Sequence, residues 1–263
     1  MIEVTNIYKT FNPGTITEKK ALNGISFTIN DGDFITVIGS NGAGKSTLLN
    51  ALAGSFPVDE GSIKIDGEEV SALPDYKRAS YIGRVFQDPM TGTAASMQIE
   101  ENLALAKRRG QKRGIKVGIT SAEREEYHEL LKELDLGLED RLLAKVGLLS
   151  GGQRQALTLL MATLVKPKIL LLDEHTAALD PKTADKVLST TEKIVKRDNL
   201  TTFMVTHNMK DALKYGNRLI MMCDGKIIFD VEGEEKKKLE VKDLLEKFNM
   251  AGGVVTDAMV LGQ

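Results

Sequence analysis

The chain has 263 residues, 42% apolar and 27% charged, with a formal net charge of −2. That length can bury a sizeable core, and the near-neutral balance argues against a broad electrostatic surface for nucleic acid. Cys223 is the one cysteine, which excludes an internal disulfide framework and any multi-cysteine metal site.

The chain opens as β structure. Ile2, Val4 and Ile7 alternate with polar residues, a strand pattern rather than a signal peptide. Ile25, Phe27 and Ile29 alternate ahead of Asp31-Gly32, a turn signal, and the apolar run 34–38 follows. It leads into Gly39-Ser40-Asn41-Gly42-Ala43-Gly44-Lys45-Ser46-Thr47 and then the helical pattern of Leu48, Leu49 and Leu52. Strand, glycine loop and helix in that order are the setting of a phosphate-binding loop. The glycines let successive N–H groups curl inward at a polyphosphate, and the helix end adds its positive pole. Lys45 can reach the outer phosphates and the Ser46 hydroxyl can ligate Mg²⁺. This stretch predicts binding of a nucleoside triphosphate.

Further on, Ile63 and Ile65 alternate ahead of Asp66-Gly67, a hairpin signal, and 81–86 forms a short strand closed by Gln87-Asp88-Pro89. From about Pro89 to Leu149 the composition turns helical, over 99–106 and over 122–136, with Leu130, Leu131 and Leu134 on one face. Between these helices, 107–116 holds six basic residues and no acidic one. It reads as a solvated loop, or as a surface for anionic headgroups or a membrane partner. Without interleaved aromatics it does not suit nucleic acid. His128, in a charged helical stretch, reads as solvated.

Beyond Leu149 the pattern alternates between helix and strand. A helix spans 150–165, and the apolar strand Ile169-Leu170-Leu171-Leu172 ends at Asp173-Glu174. Pro181 opens a helix to about Arg197, and the strand 202–206 ends at His207. A hairpin turns at Asp224-Gly225, with Cys223 in an apolar run as a buried, inert thiol. The charged tail from Glu232 carries one short helix near 239–248. Continuous apolar strands between helices predict a parallel sheet covered on both faces. The longest apolar run is too short to cross a bilayer, so the expectation is a soluble, cytoplasmic protein.

The strand ending at Asp173 places a carboxylate at the sheet edge beside the phosphate loop, where it can hold Mg²⁺ through water. Glu174 immediately after it makes sense if it orients a water for attack on the γ-phosphate; an ordinary helix N-terminus is the other reading. Upstream, Leu149-Ser150-Gly151-Gly152-Gln153 opens a second anion-receptive helix end. One nucleotide in one chain has little use for it, unless it serves another subunit's nucleotide.

Taken together, these residues resemble the ATP-binding-cassette (ABC) ATPases. The phosphate loop, Gln87 of the Q-loop, the signature 149–153, the Walker B strand 169–174, Ala178-Leu179-Asp180 of the D-loop and His207 of the switch occur in family order. The resemblance implies an α/β fold: a P-loop NTPase core with a parallel sheet, an N-terminal antiparallel β subdomain and a helical subdomain. One cassette would span 1–231, with 1–88 and 166–231 as the nucleotide-binding core and 89–165 as the helical part, and 232–263 as a short extension. It also implies a head-to-tail homodimer sandwiching two ATP molecules with Mg²⁺. Ser40, Asn41, Gly42, Ala43, Gly44, Lys45, Ser46 and Thr47 of one subunit would face Ser150, Gly151, Gly152 and Gln153 of the other, with Asp180 at the same junction. Ser46, Gln87 and Asp173 would serve the metal, Glu174 would be the general base, and His207 would hold the γ-phosphate and water in line. Phe11 matches the aromatic on which such proteins stack adenine, with Tyr8 as its rival.

The sequence departs from the family in a few places. His175 replaces the usual proline after the glutamate, and Ala177 replaces the usual serine before the D-loop alanine. A basic residue common close after Gln155 is missing, since Ala156 and Leu157 follow. The 87–149 segment has no room for the long insertions of repair ATPases, and one chain holds one cassette. The reading is therefore the ATPase subunit of a membrane transporter, bound through permease subunits to the cytoplasmic face of the membrane, with no nucleic acid partner. Finer likeness, in 87–95, in 173–180 and in Thr206-His207-Asn208-Met209, is to bacterial uptake systems assigned to tryptophan and tyrosine, which employ an external binding lipoprotein and a separate permease. The alternative is the ATPase of a non-transport membrane complex for lipoprotein release or cell division.

Overall fold

Alternating apolar residues pair the first two strands. β1 (Ile2–Phe11) runs antiparallel to β2 (Lys19–Ile29), with Ile2 opposite Ile29 and Val4 opposite Phe27, so one face of the pair is buried. The computed structural model describes residues 1–111 and 118–251. The chain divides into two compact units, one of Met1–Tyr81 with the chain from Leu200, the other of Ile82–Asn199.

In the first unit, β3 (Phe34–Gly39) is buried along its whole length and is followed by α1 (Lys45–Ala53). β4 (Glu60–Ile65) joins the free edge of β1, then turns through Asp66 (φ 52°) and Gly67 (φ 80°) into β5 (Glu68–Glu69). Positive φ at both turn residues is what a tight hairpin requires. The result is an antiparallel sheet in the order β2-β1-β4-β5. After α2 begins (α2, Asp75–Arg78), the Arg78 side chain, 1% exposed, donates to the carbonyls of Ala51 and Leu52 at the end of α1. A guanidinium is a strong cap for carbonyls that a helix end leaves unsatisfied.

The second unit begins with β6 (Ile82–Val85). After it come α3 (Ile99–Lys107) and α4 (Ser121–Lys132), each opened by a capping box, Gln98 with Glu101 and Thr120 with Glu123. The helix read as running to Leu136 stops at Lys132, because Asp135 takes a left-handed turn (φ 54°) while Leu134 stays buried. Basic residues at the head of the 107–116 segment are engaged within this unit. Lys107 pairs with Glu126, Arg108 with Glu123, and Arg109 donates to the carbonyls of Ala162 and Val165. These three side chains are thus tied to their own unit while staying partly exposed; residues 112–116 of the segment, on which the reading also rests, lie outside the described residues. α5 (Gly151–Thr163), β7 (Ile169–Asp173) and α6 (Pro181–Asp198) complete the unit. β6 and β7 pair in parallel, Val85 opposite Leu172.

The chain then returns to the first unit. β8 (Thr202–Val205) and β9 (Arg218–Cys223) flank β3 in parallel, with Val37 opposite both Val205 and Ile220. α7 (Met209–Lys214) lies between them in sequence, capped by Asn208, and β10 (Lys226–Glu232) pairs antiparallel with β9. The order of these strands is β10-β9-β3-β8. Two short helices follow, α8 (Gly233–Lys237) and α9 (Val241–Met250). α7 and α8 escape sequence reading because fewer than two turns cannot display a helical period.

The charged tail is not merely peripheral. Leu244 and Phe248 of α9 are fully buried in a cluster with Ile38, Met209, Leu219 and Met221. Lys236, 3% exposed, donates to the carbonyls of Tyr215 and of Gly216 at the end of α7, and burial pushes its pKa down to about 8. Phe248→Ala should therefore cost about 3–5 kcal/mol, the range for emptying a buried aromatic site. Denaturant unfolding checks this, and a loss below about 1 kcal/mol would show that α9 is not part of the core.

Candidate nucleotide site

β3 ends at Gly39, and the loop that follows is shaped by close approaches that leave no space for side chains. Gly44 precedes α1 at φ 98°, and a Cβ there would overlap the Ala21 carbonyl oxygen of β2. Both the angle and the space require glycine. The Ala43 carbonyl accepts from the Gly225 N–H at 3.0 Å, so the β9–β10 hairpin tip braces the loop from behind. No side chain caps the N-terminus of α1 and its first turn holds no acid, which leaves that helix end receptive to an anion. Lys45 is 5% exposed, and its Nζ donates to the carbonyls of Gly39 at 2.6 Å and Ser40 at 3.1 Å. The ammonium thus lies folded along its own loop. Asn41, Gly42 and Ser46 are exposed, Ser40 and Thr47 half-buried, and Ala43 buried.

Because β8 runs parallel to β3, His207 emerges two residues past its end at the same sheet edge as the glycine loop. It is half-buried and lies between Thr206, whose N–H bonds to the Val37 carbonyl, and Asn208, whose Oδ1 accepts from the N–H groups of Lys210 and Asp211. Phe11 sits at the end of β1 opposite Lys19, half-buried, edge-on to Phe56 with ring centroids 5.4 Å apart. Tyr8 instead lies over Gly24 of β2, against the sheet. Two neighbours went unnoticed in the sequence. Phe56 completes an aromatic pair with Phe11, and the Lys19 Nζ lies beside Gly42, 3.1 Å from where a Cβ would be. Neither has a motif to announce it.

The second unit carries the other candidates. Parallel pairing of β6 and β7 puts exposed Gln87 and the Asp173-Glu174 pair at one edge. Asp173 Oδ2 faces the Arg84 guanidinium at 3.5 Å, and that guanidinium rests 4.4 Å over the Phe86 ring. Arg84 is another residue that sequence reading passed over; only the strand register brings it to Asp173. Glu174 adopts φ 43°, a left-handed conformation that non-glycine residues adopt at a cost. His175, the residue after it, is 2% exposed with Nε2 3.2 Å from Thr191 Oγ1. Burial lowers its pKa to about 4, so it is neutral near pH 7.

At the start of α5, Ser150 and Gln153 form a capping box, the Ser150 Oγ accepting from the Gln153 N–H at 3.3 Å. Gln153 Nε2 also donates to the Leu136 carbonyl. Arg154 donates to the carbonyls of Val146, Gly147 and Leu149, which holds the approach to Ser150 in place. The basic residue found missing after Gln155 is thus answered by one just before it. Gln155, fully buried, donates to the Phe86 carbonyl beside Gln87. Asp180 caps α6 by accepting from the Thr183 N–H, and its hydrogen bonds with Thr183 hold its carboxyl below the usual range.

Among the described residues no three His, Cys, Asp or Glu side chains gather as a metal cage. The Ser46 hydroxyl and Asp173 carboxylate are hard oxygen donors, the kind Mg²⁺ takes when phosphates and water supply the rest of its shell. The residues present fit that ion.

A strand, a glycine loop around a lysine and an uncapped helix end define a phosphate-binding-loop NTPase. The ABC transporter family profile matches residues 22–177. Over 95% of this chain and 100% of the relative, the sequence is 46% identical to a tyrosine transport ATP-binding protein of Clostridioides difficile (strain R20291). It is 30% identical to the bacitracin export ATP-binding protein BceA of Halalkalibacterium halodurans, over 98% of this chain and 99% of that one. Among solved structures, a dimeric ATP-binding cassette in a post-hydrolysis state bound to ADP and Pi is similar with a TM-score of 0.75 and 31% identity. That match covers 88% of this chain and 98% of the other. A cassette in its ADP conformation matches with a TM-score of 0.76 and 28% identity, over 95% and 98%. The chain belongs to the ABC transporter ATPase family; it is an ATP-hydrolysing transporter subunit.

The signature glycines also have a packing role. A Cβ on Gly152 would overlap Thr183 Cγ2 of α6. Gly152→Ala should destabilise the protein by about 1–3 kcal/mol through overpacking, and adding Thr183→Ala should recover most of it. Thermal unfolding of the single and double variants reads this directly. Equal loss in both would show that the glycine answers to something other than α6.

Proposed function

We propose that this subunit hydrolyses MgATP in sites shared between two copies, and so powers import of an aromatic amino acid through membrane permease subunits. The observation that carries the shared-site reading is that one chain holds an uncapped helix end, α1 behind Gly44, and a second glycine-headed helix, α5, which is closed by its own capping box but has no acid in its first turn and leaves Ser150 and Gly151 exposed to a partner. In this reading residues 40–47 hold the phosphates: the loop N–H groups surround them, and Lys45 exchanges its two backbone carbonyls for phosphate oxygens. Ser46, Asp173 and Gln87 would hold Mg²⁺, which when bound neutralises phosphate charge. Glu174 takes the proton from the attacking water, His207 keeps that water and the γ-phosphate aligned, and Phe11 stacks on the adenine. Ser150, Gly151, Gly152 and Gln153 close over the partner copy's nucleotide, with Asp180 at the junction. One cassette over 1–231 would work with the permease at the cytoplasmic face.

Glu174→Gln keeps size and hydrogen bonding but removes the base, so hydrolysis should fall by roughly 10²–10⁴-fold. ATP would then persist and draw the isolated protein into a dimer. Adding Ser150→Arg should abolish that dimer while each chain still binds ATP, since Ser150 serves only the opposite site. Light scattering with and without ATP decides between outcomes; a double variant that still dimerises would sink the shared-site reading.

The substrate class rests on likeness to the tyrosine transport protein, 46% against 30% for the bacitracin exporter. Import of that kind employs an external binding lipoprotein. Cells lacking the gene should lose most uptake of labelled tyrosine or tryptophan, restored by the wild-type gene and not by Glu174→Gln. Undiminished uptake of both would remove the assignment.

A further inference from the structure

Glu174 occupies a left-handed backbone conformation at the end of β7, and something must hold it there. A residue at φ 43° costs on the order of 1–3 kcal/mol and persists only where its surroundings over-determine it. On the near side the β6–β7 ladder fixes the chain up to Leu172. On the far side the Glu174 carbonyl accepts from the Ala177 N–H at 3.0 Å. A further restraint on the far side is the His175 side chain, 2% exposed and 3.2 Å from Thr191 Oγ1 in the middle of α6.

The direction of that last bond follows from the proton count. Thr191 Oγ1 lies 2.9 Å from the Val187 carbonyl one turn earlier and donates its single proton there. It can therefore only accept from His175, which fixes the imidazole as the neutral tautomer protonated at Nε2. The bond reaches from the residue beside Glu174 to the helix that Asp180 caps. A proline at 175 would lock its own φ and push residue 174 toward extended backbone. Histidine leaves Glu174 able to adopt φ 43° and restrains the turn through its side chain.

We propose that His175 is a positioning residue for Glu174, its hydrogen bond to Thr191 setting the direction in which the carboxylate leaves the chain. The inference rests on the assignment of Glu174 as the base. It ties the reacting carboxylate to the same helix whose first residues follow Asp180. A misaimed base slows the chemical step while leaving nucleotide binding alone.

Thr191→Val removes the acceptor at nearly constant volume, and Thr191→Ser keeps it. In steady-state ATP hydrolysis by the full chain, Thr191→Val should lower kcat about tenfold with KM for ATP unchanged within about twofold, while Thr191→Ser stays near wild type. In the Glu174→Gln background the same Thr191→Val change should have no further effect on residual hydrolysis, because the base it aims is gone. A tenfold loss that persists in that background would overturn the tether and mark a general structural effect. Wild-type kcat in Thr191→Val, with Glu174→Gln inactive, would overturn the tether alone. Full activity in Glu174→Gln itself would overturn both the tether and the base assignment.

Discussion

The arrangement depends on one steric constraint: the chain at Gly44 must pass directly under the Ala21 carbonyl while turning into a helix at φ 98°. Only a residue without Cβ does both. Given that passage, the loop's N–H groups and the end of α1 converge, and Lys45 lies back along the loop with its charge already desolvated. The strands β8 and β9 that flank β3, and the hairpin tip at Gly225 behind Ala43, keep the passage from widening. Much of the first unit can be read as a brace for nine residues of loop.

In the second unit α6 plays the corresponding role of reference. Gly152 at the start of α5 lies hard against Thr183, and His175 is bound to Thr191 two turns further along the same helix. The segment after Leu149 and the segment after Asp173 are both referred to one rigid rod, and a helix of 18 residues is stiff on the scale of a bond length. α5 in turn reaches the 86–92 segment through Gln155 at Phe86 and Thr158 at Gly92. Signature, Q-loop and glutamate therefore share a common frame within the unit.

Glycines and end-of-strand charges were legible in the sequence because each has few structural alternatives. A loop such as 39–47 between an apolar strand and a helical pattern has almost one meaning, and a parallel core was expected from continuous apolar runs, though not the order of its strands. What stayed hidden depends on neighbours distant in sequence. Arg84 meets Asp173 only through the β6–β7 register, and Phe56 meets Phe11 only through tertiary packing. His175 read only as a departure from family pattern, and its burial depends on where α6 packs. Likewise the tail reads as charged by composition, yet two of its apolar side chains, one helical turn apart, anchor α9 in the core.

Cys223 lies at the end of β9, 5% exposed, with Sγ 4.0 Å from the Ala251 carbonyl just past α9. Burial pushes its thiol up in pKa, so the folded protein offers little thiolate. Among the described residues, α9 with Ala251 after it and the hairpin bearing Gly225 stand beside that sulfur, so movement of either exposes it. Since the same hairpin tip braces Ala43, the chain carries a native chemical clock. The pace at which its sole thiol reacts measures how often α9 or the hairpin behind the phosphate loop comes away, without a label having to be engineered in.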